Sequence, residues 1–269
     1  MDSEKSTSSA VTLADMQNSR DERNIPIDRV GVRNITYPIQ VMDRSNQMQH
    51  SVGVFTLTVD LPHHFKGTHM SRFLEVLNEH RGEVSVHRIP KILEDLRHRL
   101  QSERSHLTVD FTYFINKPAP VTQKVGVMGY DCRFESVGGA ETDFVMQIVV
   151  PVTTLCPCSK EISAYGAHNQ RGYVTVRVRT NNHVWIEEVI QMIEERASAP
   201  LYPVLKRPDE KHVTELAYDN PRFVEDMIRE VARGFDADER IVWYSIEVEN
   251  HESIHAHNAY AFIERTKSP

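Results

Sequence analysis

DFVMQIVVPVTTLCPCSKEISAYGAHNQRGYVTVRVRT, residues 143–180, holds two strand-like runs around a short polar link. Residues 143–155 and 171–180 are rich in β-branched and aromatic side chains, and Val174, Val176 and Val178 alternate with polar neighbours. A period of two reads as strand with one buried face. On the C-terminal side, VWIEEVIQMIEERAS (184–198) and NPRFVEDMIREVARGF (220–235) carry helical spacing. The second has Asn220 as N-cap, Pro221 at the first helical position and Gly234 just past the end. IVWYSIEVEN (241–250) and NAYAFIERT (258–266) read as strands again.

The same order precedes residue 143. GVRNITYPIQVMD (31–43) and SVGVFTLTVDLP (51–62) read as strands. THMSRFLEVLNEH (68–80) sets Met70, Phe73, Leu74 and Leu77 at helical spacing, and IPKILEDLRHRLQ (89–101) repeats the pattern with Ile92, Leu93, Leu96 and Leu100. SHLTVDFTYFIN (105–116) and QKVGVMGYDCRFESV (123–137) return to strand. The order is β-β-α-α-β-β, twice. It predicts an α+β protein of two similar halves, residues 25–140 and 141–269, each laying two helices on one face of an antiparallel sheet. Residues 1–24 are polar and Ser-rich and read as a disordered tail.

Composition narrows the function. The 269 residues carry a formal net charge of -7 with a pI near 6.1, so no global basic field points to nucleic acid. No apolar run reaches the roughly 18 residues that span a bilayer, and no signal-like segment opens the chain, so the cytoplasm is expected and a membrane is not. Three cysteines are no disulfide framework. Two of them flank Pro157, and a disulfide across one residue would close a badly strained ring. If the segment stays extended, Cys156 and Cys158 face one side, at a strand end where Pro157 lacks a donor. One thiolate then binds a metal while the other stays free. His168 lies twelve residues beyond Cys156. One Cys and one His make half of a zinc site, and a carboxylate would complete three ligands. LKRPDEKHVTELAYDN (205–220) offers Glu210, His212 and Glu215, and spacing does not choose among them.

The CPC segment resembles the signature of the type IB GTP cyclohydrolases. KGTHMSRF (66–73), LKRPDEKHVTE (205–215), NPRFVED (220–226) and VENHESIHAHNAYA (248–261) resemble that family too, so the likeness runs from about residue 30 to the end. It implies a tunnelling fold with two ββαα-type units per chain. It also implies a homotetramer with active sites at subunit interfaces. By motif, Cys156, His168 and Glu210 would bind one divalent metal, zinc or manganese, with no organic cofactor. Cys158 would be an active-site thiol and His255 an acid/base group. Glu225 would accept hydrogen bonds from guanine N1–H and the 2-amino group. By helical spacing alone Glu225 lies off the apolar stripe of Phe223, Val224, Met227, Ile228 and Val231, where a solvated face is the ordinary outcome.

The implied reaction converts GTP and water to 7,8-dihydroneopterin triphosphate and formate. Water attacks C8 of the guanine, a histidine shuttles protons, and the opened ring recloses as a dihydropterin. The triphosphate calls for cations, and Lys66, His69, Arg72 and Arg171 are the candidates. Two alternatives stand beside this reading. One is a deazaguanine nitrile reductase of the same fold, which uses a catalytic cysteine and NADPH. The other is a non-catalytic purine- or pterin-binding oligomer with structural zinc.

Overall fold

The structure, a computed structural model, describes residues 17, 19–45, 47–80 and 88–267. Most of the expected tail, residues 1–16 and 18, lies outside the described residues. The end of that stretch pairs back onto the chain: Asp21 N–H donates to the His64 carbonyl at 3.1 Å, and Lys66 N–H to the Ser19 carbonyl at 3.1 Å.

The first half is β1 (Ile27–Asp43), β2 (Gln47–Leu61), α1 (Met70–Glu79), α2 (Ile89–Leu100), β3 (Ser105–Pro118) and β4 (Val125–Gly138). The second is β5 (Asp143–Leu155), α3 (Pro157–Ile162), β6 (Asn169–Thr180), α4 (Ile186–Glu194), β7 (Ala199–Pro200), α5 (Arg207–Asp219), α6 (Val224–Ala237), β8 (Ile241–His251) and β9 (Ala259–Thr266). The doubled ββααββ order is therefore present, with α3, β7 and α5 added to the second copy. Among the described residues the strands form a single antiparallel sheet ordered β1-β2-β3-β4-β5-β6-β8-β9, with β7 paired to β5.

Alternation separates the two faces of this sheet. Leu107, Val109, Phe111 and Tyr113 on β3, Ile148, Val150 and Val152 on β5, and Val174, Val176 and Val178 on β6 all point into the core. Phe73, Leu77, Ile92, Leu96, Val189, Ile193, Met227, Val231 and Phe235 of the helices join them there. Full burial of each such side chain contributes about 1.5–3 kcal/mol. The opposite face carries cross-strand ion pairs: Arg133–Asp110 at 2.6 Å, Arg177–Glu135 at 2.7 Å and Arg179–Asp143 at 2.7 Å.

Three helical expectations need correction. Met70 and Leu74 are 43% and 42% exposed, and Val76 fills the α1 face with Phe73 and Leu77. Helix α5 escaped the sequence reading because it buries only Asp209 and Ala217, too little to print an apolar period. Helix α6 starts later than expected. Asn220 belongs to the end of α5, where its Nδ2 donates to the Leu216 carbonyl at 2.8 Å. Phe223 is the N-cap of α6, and its N–H donates to Asp226 Oδ2 at 3.1 Å. Gly234 lies inside this helix, where a Cβ would stand 2.5 Å from Met192 Sδ of α4. Close helix approach, not termination, explains that glycine.

Helix α4 joins the halves. Its Glu187 Oε1 accepts from Tyr113 OH at 2.7 Å and from Arg44 N–H at 2.9 Å. Its Glu194 Oε1 accepts from Tyr130 OH at 2.8 Å and from Lys117 Nζ at 2.6 Å. Burial pushes both phenols well above their ordinary range, and the neighbouring carboxylates push the same way. Lys117 and Glu194 are each only 11% exposed at the side chain. Removing one member of such a pair strands the other charge. Lys117→Met is expected to lower unfolding free energy by about 3 kcal/mol. The double change Lys117→Met/Glu194→Met should cost less, with urea denaturation as the check.

Candidate active site

The CPC segment does not stay extended. Strand β5 ends at Leu155, Cys156 is the N-cap of α3 with φ -70° and ψ 116°, and Pro157 takes the first helical position. The fixed φ of proline suits that position, where no N–H is needed. The two thiols are therefore not on one face of a strand. Cys156 is half-buried and its Sγ accepts from Ser159 N–H at 3.4 Å, whereas Cys158 is exposed. Burial pushes the Cys132 thiol far up, and that residue belongs to the core.

Cys156 and His168 are stitched together through the backbone. Cys156 N–H donates to the His168 carbonyl at 3.1 Å, directly beyond the last β5–β6 register pair, Leu155↔Asn169. Ser159 Oγ donates to the Cys156 carbonyl at 3.1 Å and accepts from His168 N–H at 3.2 Å. His168 Nδ1 lies 3.1 Å from Gln170 Oε1 and 3.3 Å from Ser253 Oγ. The β8–β9 loop that carries Ser253 also brings the His255 ring to 6.5 Å from that of His168, and His257 stacks on His255 at 5.3 Å. Thus Cys156, His168 and His255 meet at one end of the sheet.

Two acidic residues reach this end on helix N-termini. Helix α6 begins beside it, since Arg222 N–H donates to the Leu155 carbonyl at 2.9 Å. Asp226 takes the capping role in the first turn, so Glu225 stays exposed and available. Helix α5 repeats the arrangement. Asp209 is fully buried and accepts from Val121 N–H at 2.9 Å, Thr122 N–H at 2.8 Å, Thr122 Oγ1 at 2.6 Å and Lys206 N–H at 2.9 Å. Glu210 beside it is exposed, as are His212 and Glu215. Among the described residues no three His, Cys, Asp or Glu side chains form a metal-holding group, so one chain does not gather Glu210 with Cys156 and His168.

The candidate phosphate residues divide between the two ends. Antiparallel register puts the end of β2 beside the start of β3, the end of β4 and the start of β5. Lys66, His69 and Arg72 follow β2, and Cys156 follows β5, so they occupy opposite ends of the sheet. The separation is the length of β5, 13 residues or about 40 Å. Arg72 also spends one guanidinium nitrogen on the Arg99 carbonyl at 3.3 Å, tying α1 to the end of α2. Arg171 lies at the Cys156 end, paired in register with His251.

A family model described as Type I GTP cyclohydrolase folE2 matches residues 13–261. The chain belongs to this family. The GTP cyclohydrolase FolE2 of Kosmotoga olearia is 54% identical over 256 residues, covering 95% of this chain and 100% of that protein. That of Geotalea uraniireducens is 52% identical over 255 residues, covering 95% and 94%. Solved structures add the fold alone. Urate oxidase from Bacillus subtilis 168 has a TM-score of 0.51 at 9% identity, over 89% of this chain and 98% of that one. A uricase from Bacillus fastidious reaches 0.53 at 8% identity, over 91% and 94%. The fold of this folE2-family chain is the expected α+β tunnelling fold.

Motif reading passed over the residues that hold the candidate groups in place. Ser159, Gln170 and Thr154 bracket the Cys156–His168 pair, and Asp209 locks α5 to the β3–β4 turn. Burial alone would push the Asp209 carboxyl up. Its hydrogen bonds from Thr122, Lys206 and Val121 outweigh that and hold it well below the usual carboxylate range. A folded-state pKa below the unfolded one stabilises above the unfolded value, near 4, and that contribution is lost as pH falls. Asp209→Asn is expected to lower Tm at neutral pH. The gap to the wild type should narrow as pH falls from about 5 toward 3, read by thermal denaturation across pH.

Proposed function

We propose that the protein is a GTP cyclohydrolase that converts GTP and water to 7,8-dihydroneopterin triphosphate and formate, the entry to folate-type pterins. The observation that carries this is the convergence of Cys156, His168 and His255 in a chain that matches the type I GTP cyclohydrolase family over residues 13–261. That match gives no support to the nitrile reductase reading. Among the described residues no helix is long and apolar enough to cross a membrane. We place the enzyme in the cytoplasm, acting on GTP without nucleic acid or membrane partners.

A Cys/His/carboxylate donor set fits one zinc ion by ligand softness, and the family resemblance adds manganese as the alternative. Cys156, whose thiol is half-buried, is joined to His168 through the backbone, and the His168 Nδ1 is held by hydrogen bonds, so Nε2 is the nitrogen left for a ligand bond. Cys156 and His168 would hold the metal, and Glu210, which one chain does not gather with them, would have to be supplied across a subunit interface as third ligand. Bound there, it supplies Lewis acidity toward the water that attacks C8. Glu225 accepts from guanine N1–H and the 2-amino group, which selects guanine over adenine. His255 moves protons, as an imidazole can near neutral pH. Cys158, exposed beside Cys156, faces the purine as a polarising or proton-transferring thiol. The chemistry calls for no organic cofactor.

The opposite-end placement of Lys66, His69 and Arg72 bears on assembly. A span of about 40 Å is far longer than one nucleotide triphosphate. If those cations touch the substrate held near Cys156, they come from a neighbouring chain. A homotetramer with sites between subunits accommodates this, while Arg171 serves from the same chain as Cys156.

Turnover of GTP by chelator-stripped protein, with and without zinc or manganese, tests the activity. Metal-dependent release of both formate and a dihydropterin is expected; purine binding with neither product overturns the reading. Cys156→Ala is expected to lose the metal. Cys158→Ala should keep it and lose at least about 100-fold in kcat. Assembly is tested by mixing: inactive Lys66→Ala and Cys156→Ala chains, once their subunits exchange, should regain part of the wild-type rate. No recovery after verified exchange would remove Lys66 from a shared site.

A further inference from the structure

We propose that Gln170 is a positioning residue that fixes His168 as its Nδ1–H tautomer and so reserves Nε2 for coordination. This rests on His168 being a metal ligand.

The sequence HNQ places Gln170 two residues beyond His168 at the start of β6, where i and i+2 share a face. That face is otherwise apolar, with Val174 and Val176 further along the strand. Gln170 is 7% exposed, and Thr154, its register partner on β5, is fully buried. A primary amide in such a position is costly unless both ends are hydrogen-bonded. Both are: Oε1 to His168 Nδ1 at 3.1 Å and Nε2 to Thr154 Oγ1 at 3.0 Å.

Orientation of the amide decides the imidazole. With the amide nitrogen toward the ring, Nδ1 would accept, the ring proton would sit on Nε2, and no ring nitrogen would remain for a ligand bond. With the oxygen toward the ring, Nδ1–H donates and the Nε2 lone pair is free. Only the second arrangement serves a ligand. Thr154 alone does not choose, because a hydroxyl either donates or accepts. Ser253 Oγ, 3.3 Å from the same nitrogen, is placed to accept as well. An imidazole in water favours the Nε2–H form, so the protein must supply the bias. Buried hydrogen bonds to the second ring nitrogen are how metal-ligating histidines are commonly oriented, and their loss costs about 10–100-fold in metal affinity.

The test uses the full-length, metal-free protein at about pH 8.5, roughly two units above the ordinary imidazole pKa. Long-range ¹H–¹⁵N NMR reads the His168 tautomer, assigned with His168→Gln. The wild type is expected to show Nδ1–H. Gln170→Met, close in volume, should move His168 toward Nε2–H and weaken zinc binding about 10–100-fold in chelator competition. Gln170→Glu, which keeps an acceptor against Nδ1, should retain the wild-type tautomer. Gln170→Leu, which likewise removes the acceptor against Nδ1, should shift the tautomer in the same direction and provides a second route if Gln170→Met does not fold. An Nε2–H wild type, or an unchanged tautomer in whichever of Gln170→Met and Gln170→Leu folds, overturns the proposal. A wild type that shows Nδ1–H but binds no zinc leaves the positioning intact and overturns the metal reading instead.

Discussion

A slip of one residue between β5 and β6 would turn Thr154 and Gln170 out of the core and separate Cys156 from His168. The register that prevents it runs without interruption from Met146↔Val178 to Leu155↔Asn169. Apolar side chains on one face of both strands hold it there, because Val150, Val152, Val174 and Val176 have no second way to be buried. The candidate centre is therefore an extension of the sheet ladder. Cys156 N–H to His168 carbonyl is one more rung of it, made where β5 has already turned into α3. Pro157 enforces that turn, since it has no N–H with which to continue pairing.

The acids follow a second constraint, the unsatisfied N–H groups at helix starts. In RPDE and VED, two adjacent acids enter the first turn of α5 and α6. One of each pair, Asp209 or Asp226, answers the backbone. The other, Glu210 or Glu225, is left exposed at the end of the sheet where Cys156 lies. Their separation of roles follows from position: Asp209 and Asp226 are the third residues of their helices, where a carboxylate reaches back to the N-cap N–H, as Glu188 does in α4 at 3.0 Å. A carboxylate at a helix N-terminus also sits at the favourable end of the helix dipole.

Much of the fold was legible because long alternating strands and strongly amphipathic helices advertise their period. The doubled ββααββ order, and the burial of Ile92, Leu96, Met227 and Val231, could be read that way. Helix α5 could not, because its anchor is a buried carboxylate and not an apolar stripe. The end of α6 misled for a related reason: Gly234 looks like a stop signal, but its purpose is a contact with Met192 that no local pattern encodes. At the candidate site, Cys156 and His168 could be found from their types and spacing, and their meeting follows from the strand pair around them. Gln170 and Ser253 could not. A glutamine at a strand start and a serine in a loop are ordinary until the sheet brings both to one imidazole nitrogen.

Charge on the helix-free face completes the logic of which cations are available. Three arginines project from β6. Arg177 is neutralised by Glu135 and Arg179 by Asp143, and Trp243 covers the Arg179 guanidinium at 4.2 Å. Arg171 has no carboxylate partner among the described residues. It borders a cavity of about 360 Å³ with Thr153, Asn169, Tyr173, Leu201 and His251, at the end where Cys156 and His168 meet. A net charge of -7 therefore does not bar an anionic substrate from this end. With Arg177 and Arg179 paired, the potential at this cavity is set locally by Arg171 and not by the whole molecule.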